Sequence, residues 1–148
     1  MGVKIITRNK RAGYDYFLQE KIEAGLALQG TEVKSLRQGK AVLTDAFVMI
    51  NEGEAWIHNL RIPPYEFGTY DNHDEARVRK LLLNKKEIAK LQKGLQAEGL
   101  TIVPTALYFK KSLVKLEIAL AKGKKLHDKR ESIAKRDIER KIQQGKYD

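Results

Sequence analysis

The chain has 148 residues, 42% hydrophobic and 32% charged, enough for one domain with its own core. Its 29 Lys and Arg against 19 Asp and Glu give a net charge of +10, which favours a polyanionic partner. Cysteine is absent, which excludes disulfides, thiol catalysis and thiolate metal sites, and no apolar run approaches the roughly 18 residues that span a bilayer.

The first eleven residues carry Lys4, Arg8, Lys10 and Arg11, with no acid before Asp15. They read equally as a flexible arm reaching phosphates or as a solvated terminus. Ile22, Ala24, Leu26 and Leu28 alternate with Glu23, Gly25, Ala27 and Gln29, a strand that Gly30 stops. A short helix follows over 31–38, with Thr31 as N-cap and Gly39 past its end. On it Lys34 and Arg37 share one face and Val33 and Leu36 the next, which by itself is an ordinary amphipathic helix. Two strands over 46–51 and 54–60 flank Glu52-Gly53, a hairpin signal.

Between 72 and 83, Arg77 and Arg79 point the same way in extended chain and Lys80 adds charge beside them. Tyr65, Phe67 and Tyr70 lie just upstream, as base-stacking rings or as core and loop packing. A second helix spans 84–98: Asn84 caps it, Glu87 completes a capping box, Gly99 ends it, and Ile88, Leu91 and Leu95 form its apolar stripe. Residues 100–110 form a strand in which Pro104 marks an edge or a bulge. Val114, Leu116, Ile118 and Leu120 give a last alternating strand. Five or six short strands with two helices suggest a small closed barrel, the oligonucleotide-binding barrel being one such architecture.

Composition changes near Ala121–Lys122. The last 27 residues hold 10 basic and 5 acidic side chains, with only Leu126, Ile133, Ile138 and Ile142 as large aliphatics. That stripe is too thin for an independent helix, so 122–148 is expected to be disordered alone and to order on a polyanion. Its aliphatic face lacks the Trp or Phe that would anchor it to a membrane. Catalysis has little support. There is no nucleophile elbow, phosphate loop, His-Glu-x-x-His or dinucleotide fingerprint. His58, His73 and His127 lack metal-ligand spacing, His73-Asp74 adjacency is not a dyad, and Ser35 and Ser112 have no identifiable base.

These segments together resemble one family. Asn9-Lys10-Arg11-Ala12, Glu23-Ala24-Gly25, Gly30-Thr31-Glu32-Val33-Lys34-Ser35-Leu36-Arg37, Arg79-Lys80-Leu81-Leu82-Leu83, and Lys122-Gly123-Lys124-Lys125 leading to His127-Asp128-Lys129-Arg130 stand in this order. The sequence is similar, from about Ile6 to about Glu139, to the small protein B (SmpB) family, the SsrA-binding proteins of bacterial trans-translation.

The resemblance implies a mainly β fold: a small closed Greek-key barrel related to the oligonucleotide-binding fold, with two or three short helices and a disordered basic C-terminal tail. It divides the chain into an RNA-binding barrel, 1–121, and a tail, 122–148, helical on the ribosome. It implies a cytoplasmic, monomeric adaptor with no enzymatic activity, cofactor or metal. Such an adaptor binds the tRNA-like domain of transfer-messenger RNA and brings it to stalled ribosomes, its tail in the empty decoding centre and mRNA path.

By position, the implied RNA-binding residues are Asn9, Lys10, Arg11, Glu23, Lys34, Arg37, Arg77, Arg79, Lys80 and Leu82, and the ribosome-binding tail residues are Lys124, Lys125, His127, Asp128, Lys129 and Arg130. Two positions depart from the family: Glu75 stands where Pro is common, which suggests a looser loop, and Ile138 where many members carry Trp. A general single-strand nucleic-acid binder on a similar barrel is the alternative reading.

Overall fold

The computed structural model describes residues 3–67, 72–97 and 99–124. In chain order these form β1 (Val3–Arg8), α1 (Ala12–Asp15), β2 (Tyr16–Leu26), α2 (Gly30–Arg37), β3 (Phe47–Asn51), β4 (Glu54–His58), β5 (Arg79–Leu82), α3 (Lys85–Ala97), β6 (Thr101–Lys110) and β7 (Leu113–Gly123). The fold is mainly β: one seven-stranded sheet in the order β1-β6-β7-β2-β5-β4-β3, with every neighbouring pair antiparallel.

The sheet does not close into the barrel expected from the sequence. β3 curls round to lie beside β6, yet the two do not pair. β6 pairs with β7 along its whole length on one edge, and with β1 over Ala106–Lys110 on the other.

Strand alternation sets the two faces of the sheet. Inward residues include Ala24, Val48, Ala55, Ile57, Leu81, Leu107, Leu116 and Ile118, all nearly or fully buried in one core. Helix α3 adds Leu91 to that core. Its start is as expected: Asn84 N–H donates to Glu87 Oε1 at 3.0 Å and Glu87 N–H donates to Asn84 Oδ1 at 2.8 Å. The β3–β4 hairpin turns on Glu52 and Gly53, both at positive φ, as a two-residue primed turn requires. The proline in β6 sits at a bulge, where the β6–β7 register shifts between Pro104 and Ala106, and beyond the β1 pairing, which ends at Ala106.

Three local expectations change. The basic N-terminal segment is neither arm nor solvated terminus but β1, paired along β6 with Ile6 packed on the core. Helix α2 is capped by Gln29, whose N–H donates to Glu32 Oε1 at 2.8 Å, and not by Thr31. Strand β7 continues two residues past Ala121, and Lys124 N–H then donates to Asp15 O at 2.9 Å, tying the strand's end to α1.

Candidate nucleic-acid interface

The basic motif of 77–82 divides into an inward and an outward set. Strand β5 alternates, so Arg79 and Leu81 point in while Lys80 and Leu82 point out. Arg79 is 0% exposed. Its Nε donates to Glu32 Oε2, Nη1 to Leu60 O at 2.6 Å and Arg77 O at 3.0 Å, and Nη2 to Asp74 O at 3.3 Å and Glu75 O at 3.2 Å. A guanidinium has five N–H donors, and all five are used inside the protein. Arg79, implied by the resemblance as an RNA-binding residue, thus has its guanidinium turned into the protein and offers no N–H group to the surface. It locks α2, the end of β4 and the loop of 74–77 together.

Arg77 joins the same cluster. Its Nη2 donates to Glu32 Oε1 at 2.6 Å and to Ala27 O at 3.4 Å, and the side chain is only partly exposed. Glu32 itself is 0% exposed. Burial pushes its carboxyl up, but hydrogen bonds from Arg77, the Gln29 backbone and Arg79 outweigh burial and hold it below its ordinary value. Burial also lowers Arg79, with Glu32 opposing the shift. Glu75 does not loosen its loop at this point, since its carbonyl accepts from Ile62 N–H as well as from Arg79.

His73 is buried beside this cluster. A backbone carbonyl can only accept, so Nε2 donates to Ile62 O at 2.7 Å, and Nδ1 and the Thr31 hydroxyl share a hydrogen bond at 2.9 Å. Both ring nitrogens bind α2 and the strand-end segment, which makes His73 structural. Ser35 is equally committed, donating to Pro63 O at 2.8 Å.

Helix α2, so anchored, shows Lys34 and Arg37 to solvent. Lys34 Nζ lies 5.5 Å from the Tyr65 ring centroid, and Tyr65 meets Phe67 edge-on at 5.6 Å. Phe67 is exposed, so this corner offers an open ring next to the Lys34–Tyr65 pair; Tyr70 lies outside the described residues.

The outer sheet face carries Glu23, Lys80 and Leu82. Leu82 is 54% exposed and lies over Gly25, its register partner, where an added Cβ would come within 3.1 Å. Lys80 bonds Glu54 at 3.1 Å with both side chains well exposed. Glu23 accepts from the Tyr108 hydroxyl and from Lys110 at 3.4 Å. The Tyr108 hydrogen bond holds the Glu23 carboxyl below its ordinary value against burial, with Lys110 helping. Burial and then Glu23 raise the Tyr108 phenol, which stays a donor.

The N-terminal candidates form a third group. Asn9 follows β1: its N–H donates to Thr105 O at 2.8 Å and its Nδ2 to Pro104 O at 2.9 Å, while Oδ1 is buried with no partner among the described residues. Lys10 is exposed, and Arg11 lies over Tyr14 and pairs with Asp15 at 3.4 Å. Lys124 donates to Gly13 O at 3.0 Å and covers the Phe17 ring at 4.9 Å. The tail candidates Lys125, His127, Asp128, Lys129 and Arg130, together with Ile138, lie outside the described residues. Among the described residues no group of His, Asp or Glu is placed to hold a metal.

Sequence reasoning missed Glu32, which gathers both arginines. Glu32 was visible only as an acid within a basic motif.

Comparison with known proteins fits this geometry. The family model described as SmpB protein matches residues 6–147. The SsrA-binding protein of Geotalea uraniireducens (strain Rf4) is 57% identical over 142 residues, covering 96% of this chain and 94% of that protein. The SsrA-binding protein of Pelobacter propionicus (strain DSM 2379 / NBRC 103807 / OttBd1) is 56% identical over 145 residues, covering 98% and 95%. A chain of the solved structure described as "tmRNA-SmpB: a journey to the center of the bacterial ribosome" aligns with a TM-score of 0.70 at 45% identity, covering 86% of this chain and 93% of that one. With identity of this extent along nearly its whole length, the chain belongs to the SmpB family.

Proposed function

We propose that the protein is an RNA-binding adaptor that binds the tRNA-like domain of transfer-messenger RNA and delivers it to stalled ribosomes. The observation that carries this reading is near-full-length identity to proteins named for SsrA binding, with a structural neighbour described as tmRNA-SmpB on the bacterial ribosome. The geometry supports it: exposed cations Lys34, Arg37 and Lys80 stand on rigid elements around a sheet, beside rings that can stack. The chain acts as a non-enzymatic, cytoplasmic monomer. Within it, 1–121 binds the transfer-messenger RNA. The remaining tail, with Lys124, Lys125, His127, Asp128, Lys129 and Arg130, engages the decoding centre and mRNA path.

Of the RNA-binding set, Lys10, Arg11, Lys34, Arg37 and Lys80 contact phosphates, Glu23 accepts from a base amine or sugar hydroxyl, and Leu82 packs on the RNA. Asn9 and Arg77 hold the surfaces that present them. The test is binding to transfer-messenger RNA beside an unrelated structured RNA of similar size across a salt series. The reading expects selective binding whose affinity falls linearly in log–log with salt. Equal binding to both RNAs would instead favour a general single-strand binder.

A further inference from the structure

The outer face of β3, β4 and β5 carries a surface that none of the residues assigned above explains. In the β3–β4 register Phe47 faces His58 and Met49 faces Trp56; in the β4–β5 register Trp56 faces Lys80. Met49, Trp56 and Lys80 thus form one row across three strands. Phe47 and His58 stack with ring centroids 5.1 Å apart and planes within 5°. Phe47 is 38% exposed and Met49 50% exposed. A cavity of about 420 Å³, lined by Met49, Ile50, Asn51, Trp56, His58 and Val78, opens on this face.

The intervening residues Val48, Ala55, Ile57 and Leu81 are buried, so the core does not need the outward rings. Flat aromatic surfaces with a cation in register suit a base with its phosphate: the ring takes the base's π-face and the ammonium the backbone charge. The face also continues along β5 into Lys80 and Leu82, already in the RNA-binding set. The chain's net charge of +10 favours a polyanion over a protein partner.

We propose that this face is a stacking platform for unpaired RNA bases, with Trp56 and the Phe47–His58 ring pair as stacking surfaces and Lys80 as the phosphate contact. The proposal rests on the reading that the partner is RNA and extends its contact surface across β4 to the β3 edge.

Trp56 is the sole tryptophan, so its fluorescence reports on this face alone. The full-length chain is titrated by Trp56 fluorescence with a 15-nucleotide oligoadenylate and with transfer-messenger RNA, and affinities of the parent, Trp56→Phe, Trp56→Ala and Phe47→Ala are compared by the anisotropy of the same RNAs carrying a terminal dye, with thermal unfolding measured for each. The proposal expects saturable quenching by both RNAs. It expects binding to weaken about 5- to 100-fold in the alanine variants, in line with the cost of losing one stacked base. Trp56→Phe keeps most of the affinity because it keeps a ring, which separates stacking from folding defects.

Full affinity in Trp56→Ala, or no quenching on saturable binding, would overturn the proposal. So would a fluorescence change that follows protein concentration rather than RNA, since a second copy would then cover the face. Quenching without preference for transfer-messenger RNA would defeat the adaptor reading and leave the platform standing. Selective binding indifferent to Trp56 would do the reverse.

Discussion

Arg79 and Lys80 are neighbours of the same charge on one strand, with opposite fates. Arg79 is enclosed, with its five N–H groups bound to Glu32 and four backbone carbonyls. Lys80 stands outside, paired with an exposed Glu54. The difference teaches that a basic motif is not a single RNA-binding unit. Strand alternation turns one cation into a rivet between α2 and β5 and leaves the next for a ligand. The rivet needs a guanidinium, because only a planar fork can serve five fixed acceptors. The exposed position needs only charge.

The largest effect is expected from breaking the rivet. Glu32→Ala leaves the buried Arg79 without its carboxylate, and Arg79→Ala leaves Glu32 with Arg77 alone and takes the donor from four backbone carbonyls; each should cost about 3–5 kcal/mol of folding stability in a denaturant titration. The comparison sharpens with Arg79→Lys, which keeps the charge but loses the fork and should fail to restore stability. The double variant Glu32→Leu/Arg79→Met removes both charges together and should be more stable than either single alanine variant.

The next effect is on pH. The Glu32 carboxyl lies below the ordinary value of 4.5 in the folded chain. Its contribution is therefore complete above about pH 4.5 and is lost as pH falls through the lowered folded value. Glu32→Gln should lower stability at neutral pH and flatten its decline on the acid side, as read from unfolding midpoints between pH 3 and 7. A wild-type acid limb in that variant would assign the acid loss to other carboxylates.

Smaller effects belong to the periphery. Asn84→Ala removes the α3 cap and should cost about 1 kcal/mol. Lys34→Ala and Lys80→Ala should leave stability within about 0.5 kcal/mol. Each should weaken RNA binding uniformly across sequences and lower the log–log salt slope by about 1 if its ammonium contacts a phosphate.

Much of the fold was legible because it is local. The α3 capping box needs residues three apart, and the β3–β4 hairpin needs two turn residues between alternating runs. Strand β1 was obscured because Lys4 and Arg8 draw the eye from its β-branched Val3, Ile5, Ile6 and Thr7. Strand β5 was read as an extended basic segment, correctly placing Arg77 and Arg79 on one side, but the side proved to be the inner one. Nothing local says so: Arg79 meets Glu32 across 47 residues of sequence. The open sheet was equally illegible, because which strand takes the free edge of β6 is decided by tertiary pairing.

The division of labour within β5 is tested most directly by measuring folding stability and transfer-messenger RNA affinity side by side for Arg79→Gln and Lys80→Gln. The account expects Arg79→Gln to lose several kcal/mol of stability, while Lys80→Gln unfolds as the parent does and binds RNA more weakly with a shallower salt slope. An Arg79→Gln protein that unfolds as the parent does and binds RNA more weakly would contradict it.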